Sequence, residues 1–314
     1  MAKITEELVL PPQLTVAAIY AAYEAAKEEW DSLGISVGEL GEECQRKLYY
    51  ALHWVTHPEK VPGRNLRLFE TGNIEEDRMV ADLQRAGIEV FGQQDKIRLV
   101  SGHVRGKIDG RCIGLPEAAK TEHLAEFKSS NDKNFKLLLK NGCKEAKPLH
   151  YCQVQIGMHA FGLTRGLYLV VNKNDDTLYQ ERIEYDLEYC LRMLAKAESI
   201  VKATRPPPRI SEDPDFFGCR FCNKKYVCHH DALPRVSCRT CLYSTPELGG
   251  TDAHWSCARW AKPLSFDEQK AACPAHLFDC DLINAEQIDS DEINETVTYR
   301  LKDGSIWVDG QVAA

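Results

Sequence analysis

No apolar run in this 314-residue chain approaches the roughly 20 residues that a membrane-spanning helix needs. The opening stretch MAKITEELVL lacks the basic-then-apolar pattern of a secretory signal. There is no flavin or nicotinamide fingerprint, no internal repeat and no low-complexity segment. Positive charge is not in excess either: 39 Lys and Arg stand against 47 Asp and Glu, a formal net charge of -8. These absences argue against a membrane partner, against flavin or nicotinamide redox chemistry and against a uniformly basic surface. A soluble, cytoplasmic protein is the expectation. An acidic average still permits local basic patches that attract phosphate.

Cysteine, by contrast, is abundant. There are 13, and eight of them follow Phe217, several in C-x-x-C pairs. In a reducing compartment such clustering favours metal ligation over disulfides. The length allows one sizeable core with an appendage, or two domains.

Along the chain, residues 15–30 and 38–55 have helical composition, the second carrying Cys44 near its start. Residues 66–87 form a strong helical pattern with Gly87 as its stop. Residues 88–91, 96–100 and 102–113 read as strands. The lysine-rich run 131–147 reads as a solvated helix or loop, or as a rim that tracks phosphate. Residues 150–162 read as a helix, 167–172 as a buried strand and 183–204 as a long amphipathic helix ended by Arg205-Pro-Pro-Pro. The stretch TVTYRLKDGSIWVDG predicts a β-hairpin turning at Lys302-Asp303-Gly304. Helix, three strands, helix, strand is an α/β order.

The chemistry concentrates in SGHVRGKIDGRCIGLPEAAKTEHLAEFKSS, residues 101–130. In HLAEFKS, alternation puts Leu124, Glu126 and Lys128 on one strand face and Ala125 and Phe127 on the other. With Asp109 on a neighbouring strand, two carboxylates and the Phe127 carbonyl suit a hard divalent cation such as Mg²⁺ or Mn²⁺. The helix-borne Glu76 adds an acid, with Asn73 and Glu75 as competitors. Phosphodiester hydrolysis needs activated water and an offset for growing phosphate charge, and a metal beside a lysine provides both.

The ordered set Gly72-x-x-x-Glu76, Asp109-Gly110, Glu126-x-Lys128 and Gln153-x-Gln155 resembles the PD-(D/E)XK nuclease superfamily, in its RecB-like and lambda-exonuclease-like branch. The resemblance covers about residues 36–230. It implies a central mixed sheet flanked by helices, with Asp109 and Glu126 as metal ligands, Lys128 as catalytic lysine, Glu76 as helical acid and Gln155 or Gln153 positioning water or phosphate. Cys219-x2-Cys222-x5-Cys228, with Cys44 upstream, is similar to the iron-sulfur nucleases of the AddB type and of CRISPR adaptation. That similarity implies a 4Fe-4S cluster on these four thiolates, clasping both ends of the nuclease fold. Spacing alone also allows zinc, with His229 or His230 as ligands.

The tail offers a second site by spacing. Cys238-x2-Cys241, Cys257 and Cys273 have the layout of a structural zinc module, with His276 as an alternative to Cys273 and His254 a weaker one. Cys112, Cys143, Cys152 and Cys190 fall on core elements and read as packing residues. The expected organisation is a helical segment 1–35, a nuclease domain 36–230 and a β-rich zinc module 231–314. The expected function is a metal-dependent DNA nuclease, an exonuclease on ends or single strands, in recombination, repair or phage DNA processing in a bacterial or phage-infected cell. Its channel would be lined by Lys133, Lys136, Lys140, Arg220, Lys224 and Lys225, and its partners would be DNA and a recombination, helicase or single-strand-binding protein. The alternative is a nucleic-acid-binding or assembly module that uses the zinc tail on a nuclease-like fold.

Overall fold

The computed structural model describes residues 13–27 and 31–310. The opening MAKITEELVL and Trp30, at the end of the first predicted helix, lie outside them. In chain order the elements are α1 (Leu14–Ala26), β1 (Ile35–Ser36), α2 (Gln45–Leu52), α3 (Gly63–Arg85), β2 (Glu89–Phe91), β3 (Lys96–Leu99), β4 (Val104–Lys107), β5 (Gly110–Ile113), β6 (His123–Ser130), α4 (Asp132–Ala146), α5 (Pro148–Phe161), β7 (Arg165–Asn172), β8 (Leu178–Glu184) and α6 (Leu187–Lys202). After the proline linker come α7 (Phe217–Arg220), α8 (Lys225–His229), β9 (Ser244–Pro246), β10 (Trp255–Cys257), β11 (Lys262–Leu264), α9 (Phe266–Ala271), β12 (Glu286–Asp291), β13 (Thr296–Arg300) and β14 (Ile306–Asp309).

The organising strand is β6. It is buried through Phe127 because its two faces are covered by different helices. Ala125 and Phe127 pack with Met79 and Val80 of α3, while Leu124 joins the larger core with Val154, Ile156 and Met158 of α5. Burying the Phe127 ring contributes about 1.5–3 kcal/mol to holding α3 on the sheet. The sheet order is β2-β5-β6-β7-β8. The β6–β7 pair is parallel and the other pairs are antiparallel, so this is a mixed sheet with helices on both faces. Gly87 (φ +79°) and Gly162 (φ +66°) end α3 and α5 in the left-handed conformation that glycine adopts without a Cβ clash.

Two strand expectations need correction. Residues 102–113 are not one strand: β4 belongs to a separate sheet, β1-β4-β3, and β5 to the main one. Asp109 sits in the bend between them. The main sheet also gains β8, whose exposed, polar alternation lacks the apolar signature of a buried strand, and β8 takes the first residues assigned to the 183–204 helix. The 131–147 run is the helix α4, capped by Asn131, whose side chain accepts from Asn134 N at 2.9 Å.

The C-terminal segment shares the main core. Trp255, Cys238, Cys257, Leu264 and Leu282 belong to the same buried cluster as Leu48 and Tyr49 of α2. Arg239, 1% exposed, donates to Leu52 O at 2.9 Å and to Leu33 O at 3.3 Å, and its guanidinium lies over the Trp54 and Trp255 rings. The predicted hairpin forms as β13–β14, and β12 adds a third strand to it.

Candidate active site

Asp109 reaches back from its bend to β6. Its Oδ2 accepts from Phe127 N at 2.8 Å. That contact is possible because β5 stops pairing with β6 at Gly110–Ala125, which leaves the following stretch of that edge open. A strand residue presents its N–H and C=O to the same side, so the Phe127 carbonyl faces the open edge beside Asp109. Lys128 Nζ contacts Glu126 Oε1 and lies 3.7 Å from Asp109 Oδ2. From α3, Glu76 accepts a hydrogen bond from Gln94 Nε2 at 3.3 Å and is close enough to Asp109 and Lys128 for their charges to act on it. The competitors are placed elsewhere: Asn73 is exposed and Glu75 pairs with Arg78.

Electrostatics follow from burial. Glu126 is 1% exposed; desolvation pushes its carboxyl up to about 7, Lys128 opposes the shift, and Asp109 and Glu76 add to it. Burial alone would lower the Lys128 ammonium, but Glu126 and Asp109 more than offset that and hold it above its ordinary range. Glu76 is raised by burial and then by Asp109. Three carboxyls thus face one ammonium. Asp109, Glu126 and the Phe127 carbonyl are hard oxygen donors of the kind a divalent cation prefers, with Glu76 outside their direct contacts.

Neither glutamine joins this centre by a hydrogen bond among the described residues. Gln155 is fully buried; its Nε2 donates to Glu184 O at 2.7 Å and its Oε1 accepts from Asp186 N at 2.9 Å. It ties α5 to the β8–α6 corner. Gln153 sits by Gly38, where an added Cβ would stand 3.8 Å from its Oε1. What α5 presents towards Lys128 is His150, which sequence reasoning passed over. Its Nδ1 shares a 2.6 Å hydrogen bond with the Tyr168 hydroxyl, and Tyr168 is the β7 residue registered with Glu126. Burial, then the Lys128 and Lys147 charges, push His150 down to about 3.

The proposed DNA-contacting cations fall into two groups. Lys133, Lys136 and Lys140 are exposed along α4, with Lys136 paired to Asp132 at 2.8 Å. Arg220 is exposed and lies over Phe221. Lys224 is turned inward onto Thr56 Oγ1 at 2.5 Å, and Lys225 pairs with Asp215 at 3.0 Å; both line the cysteine cavity.

Cys44, Cys219, Cys222 and Cys228 line that one cavity together with Arg46, Lys47 and Arg209. Two arginines bring the ends together. Arg46 donates to Pro207 O at 2.6 Å, and Arg209 donates twice to Cys228 O, at 2.9 and 2.6 Å. The Cys219 thiol is pushed up by burial first and then by Cys44, Cys228 and Cys222. Of the two histidines, His229 lines the cavity. In the tail, Cys238, Cys241, Cys257, Cys273 and His276 line a second cavity of about 190 Å³. His276 Nε2 lies 3.4 Å from Thr240 Oγ1, and His254 is not part of the lining. All 13 cysteines are free. Among the described residues no group of three or more His, Cys, Asp or Glu is arranged closely enough to hold a metal ion.

No family model and no curated protein matches the chain. Solved structures do. One is SSO0001, 15% identical with a TM-score of 0.42, covering 70% of this chain and 98% of that one. Another is an alkaline exonuclease, LHK-Exo, from Laribacter hongkongensis, 14% identical with a TM-score of 0.41, covering 59% of this chain and 90% of its own. Its complex with dAMP is similar at a TM-score of 0.40 and 14% identity, over 59% of this chain and 90% of that one. These are distant likenesses of fold. Among the described residues no helix is long and apolar enough to cross a membrane.

Proposed function

We propose that the protein is a metal-dependent nuclease that hydrolyses DNA phosphodiesters, acting on ends or single strands in recombination, repair or phage DNA processing. The observation that carries this reading is the convergence of Glu76, Asp109 and Glu126 on Lys128 at an open strand edge. Asp109, Glu126 and the Phe127 carbonyl would hold Mg²⁺ or Mn²⁺, which when bound supplies Lewis acidity and a more acidic water. Lys128, held protonated by its carboxylate neighbours, offsets charge growing on phosphate oxygens. Glu76 shapes the charge of the centre from α3, and Gln94 orients it.

The cysteine sets extend the reading. Four thiols inside a shell of Arg46, Lys47, Arg209, Lys224 and Lys225 suit an anionic ligand set, and a 4Fe-4S cluster there would brace the two ends of the nuclease fold. Cys238, Cys241, Cys257 and Cys273 would hold a structural zinc.

The test uses linear single- and double-stranded DNA with Mn²⁺ or EDTA, on protein purified without oxygen and analysed for iron and zinc. Asp109→Asn and Lys128→Ala should each lower kcat by at least about 100-fold, the scale of losing one charge-stabilising group, with folding intact. Cleavage that survives in both variants sinks the assignment. Protein lacking both iron and zinc sinks the two cysteine sites and leaves the nuclease reading untouched.

A further inference from the structure

The β3–β4 hairpin carries charge that the acid centre does not use. Lys96 is registered across from Lys107, and Arg98 across from Arg105, so the four cations share one face as two like-charged pairs. The other face is committed to packing: Ile97 is buried, and a Cβ at Gly106 would come within 2.9 Å of Val37 Cβ. Like charges directly opposed destabilise a sheet, and little here relieves them. Among the described residues, Asp252 is the carboxylate that pairs with this set, at 2.5 Å from Arg98 and 3.8 Å from Arg105. Lys96 and Lys107 stand exposed.

The hairpin forms one wall of a groove of about 720 Å³, faced by Ser32, Ser36 and Phe266. Asp31, the one acid in the lining, is already neutralised by Arg235 at 2.5 and 3.1 Å. A cleft lined by one sign of charge focuses the field on an oppositely charged ligand. Successive cations on one strand face are about 7 Å apart, so the two opposed pairs form a double row along the hairpin, suited to an anion with more than one charged group.

This double row leads to the acid centre. Lys107 ends β4 two residues before Asp109, and the start of the hairpin is tied there too: Gln94 N donates to Ile108 O at 3.0 Å, while the Gln94 side chain donates to Glu76 at 3.3 Å.

We propose that this groove binds the sugar–phosphate backbone of a nucleic-acid strand and delivers it to the centre of Asp109, Glu126 and Lys128. The proposal rests on the nuclease reading of that centre. The cations on Lys96, Arg98, Arg105 and Lys107 grip phosphates.

The test measures binding of a labelled oligonucleotide, single-stranded or duplex, to the full chain in EDTA across a salt series. Lys96→Ala with Lys107→Ala should weaken binding about 10-fold and flatten the slope of log K against log salt by about 1.4 for a single strand or 1.8 for a duplex. The arm that changes identifies the form bound. Lys96→Arg with Lys107→Arg should restore both affinity and slope. Hydrolysis of bis(p-nitrophenyl) phosphate with Mn²⁺ should be unchanged in the alanine pair, because that ester is too small to reach the hairpin. Unchanged affinity and slope in the alanine pair overturn the proposal. So does displacement by polyglutamate as effective as by unlabelled DNA. Strand binding with the expected slope but no hydrolysis by the wild type overturns the nuclease reading and supports the groove.

Discussion

Glu126 is pulled two ways, by the ammonium beside it and by its removal from water, and desolvation wins. Its carboxyl is raised from 4.5 to about 7. A carboxyl raised in the folded state lends stability while it is protonated, and that contribution is fully present below the unfolded value and lost as pH rises through about 7. In EDTA, wild-type stability should therefore fall relative to Glu126→Gln as pH rises from 4 to 8, by on the order of 2 kcal/mol. Urea unfolding of the two proteins side by side checks this, and a pH-independent difference would refute it. Glu126 and Lys128 were legible in the sequence because strand alternation dictates which side chains share a face. The glutamines were not. Residues two apart on a helix point to nearly opposite sides, and nothing in QVQ says which side meets the sheet.

Among the elements, the pairing of α5 with the β8–α6 corner shows what a polar residue in a core can be for. Gln155→Ala would strip side-chain partners from the part-buried Glu184 carbonyl and Asp186 N–H, a loss of about 1–3 kcal/mol. The expected outcome is a lower Tm with unchanged cleavage per folded molecule. A fall in kcat at equal stability would return Gln155 to the active site. Helices with clear stops, α3 and α5, were readable to within a few residues. The β4–β5 break was not, because HVRGKIDGRCI alternates throughout and the transfer from one sheet to another depends on where β1 and β6 lie. The same dependence hid the double row of cations. KIRL and VRGK each show alternating charge, but only the register across 100–103 stacks Lys96 on Lys107. The edge strand β8 escaped notice because edge strands are polar.

For the molecule as a whole, cysteine spacing suggested a tail that stands apart, and the spacing is silent on where Trp255 and Arg239 go. Both lie at the junction with α2. His53 stacks on Tyr49 and meets Trp255 edge-on at 5.2 Å, and Arg235 forms a buried pair with Asp31. A chain ending after His230 should therefore lose cooperative unfolding by circular dichroism rather than yield a smaller active enzyme, since removing one partner of a buried pair alone costs about 3–5 kcal/mol. A truncated chain with a sharp, native-like transition would contradict this. For protein engineering, the Arg239 guanidinium lying over the Trp54 and Trp255 rings sets the cloning boundaries: a graft of the tail onto another scaffold must carry Trp54, His53 and Asp31 with it, and a minimal version must keep the chain through Asp309.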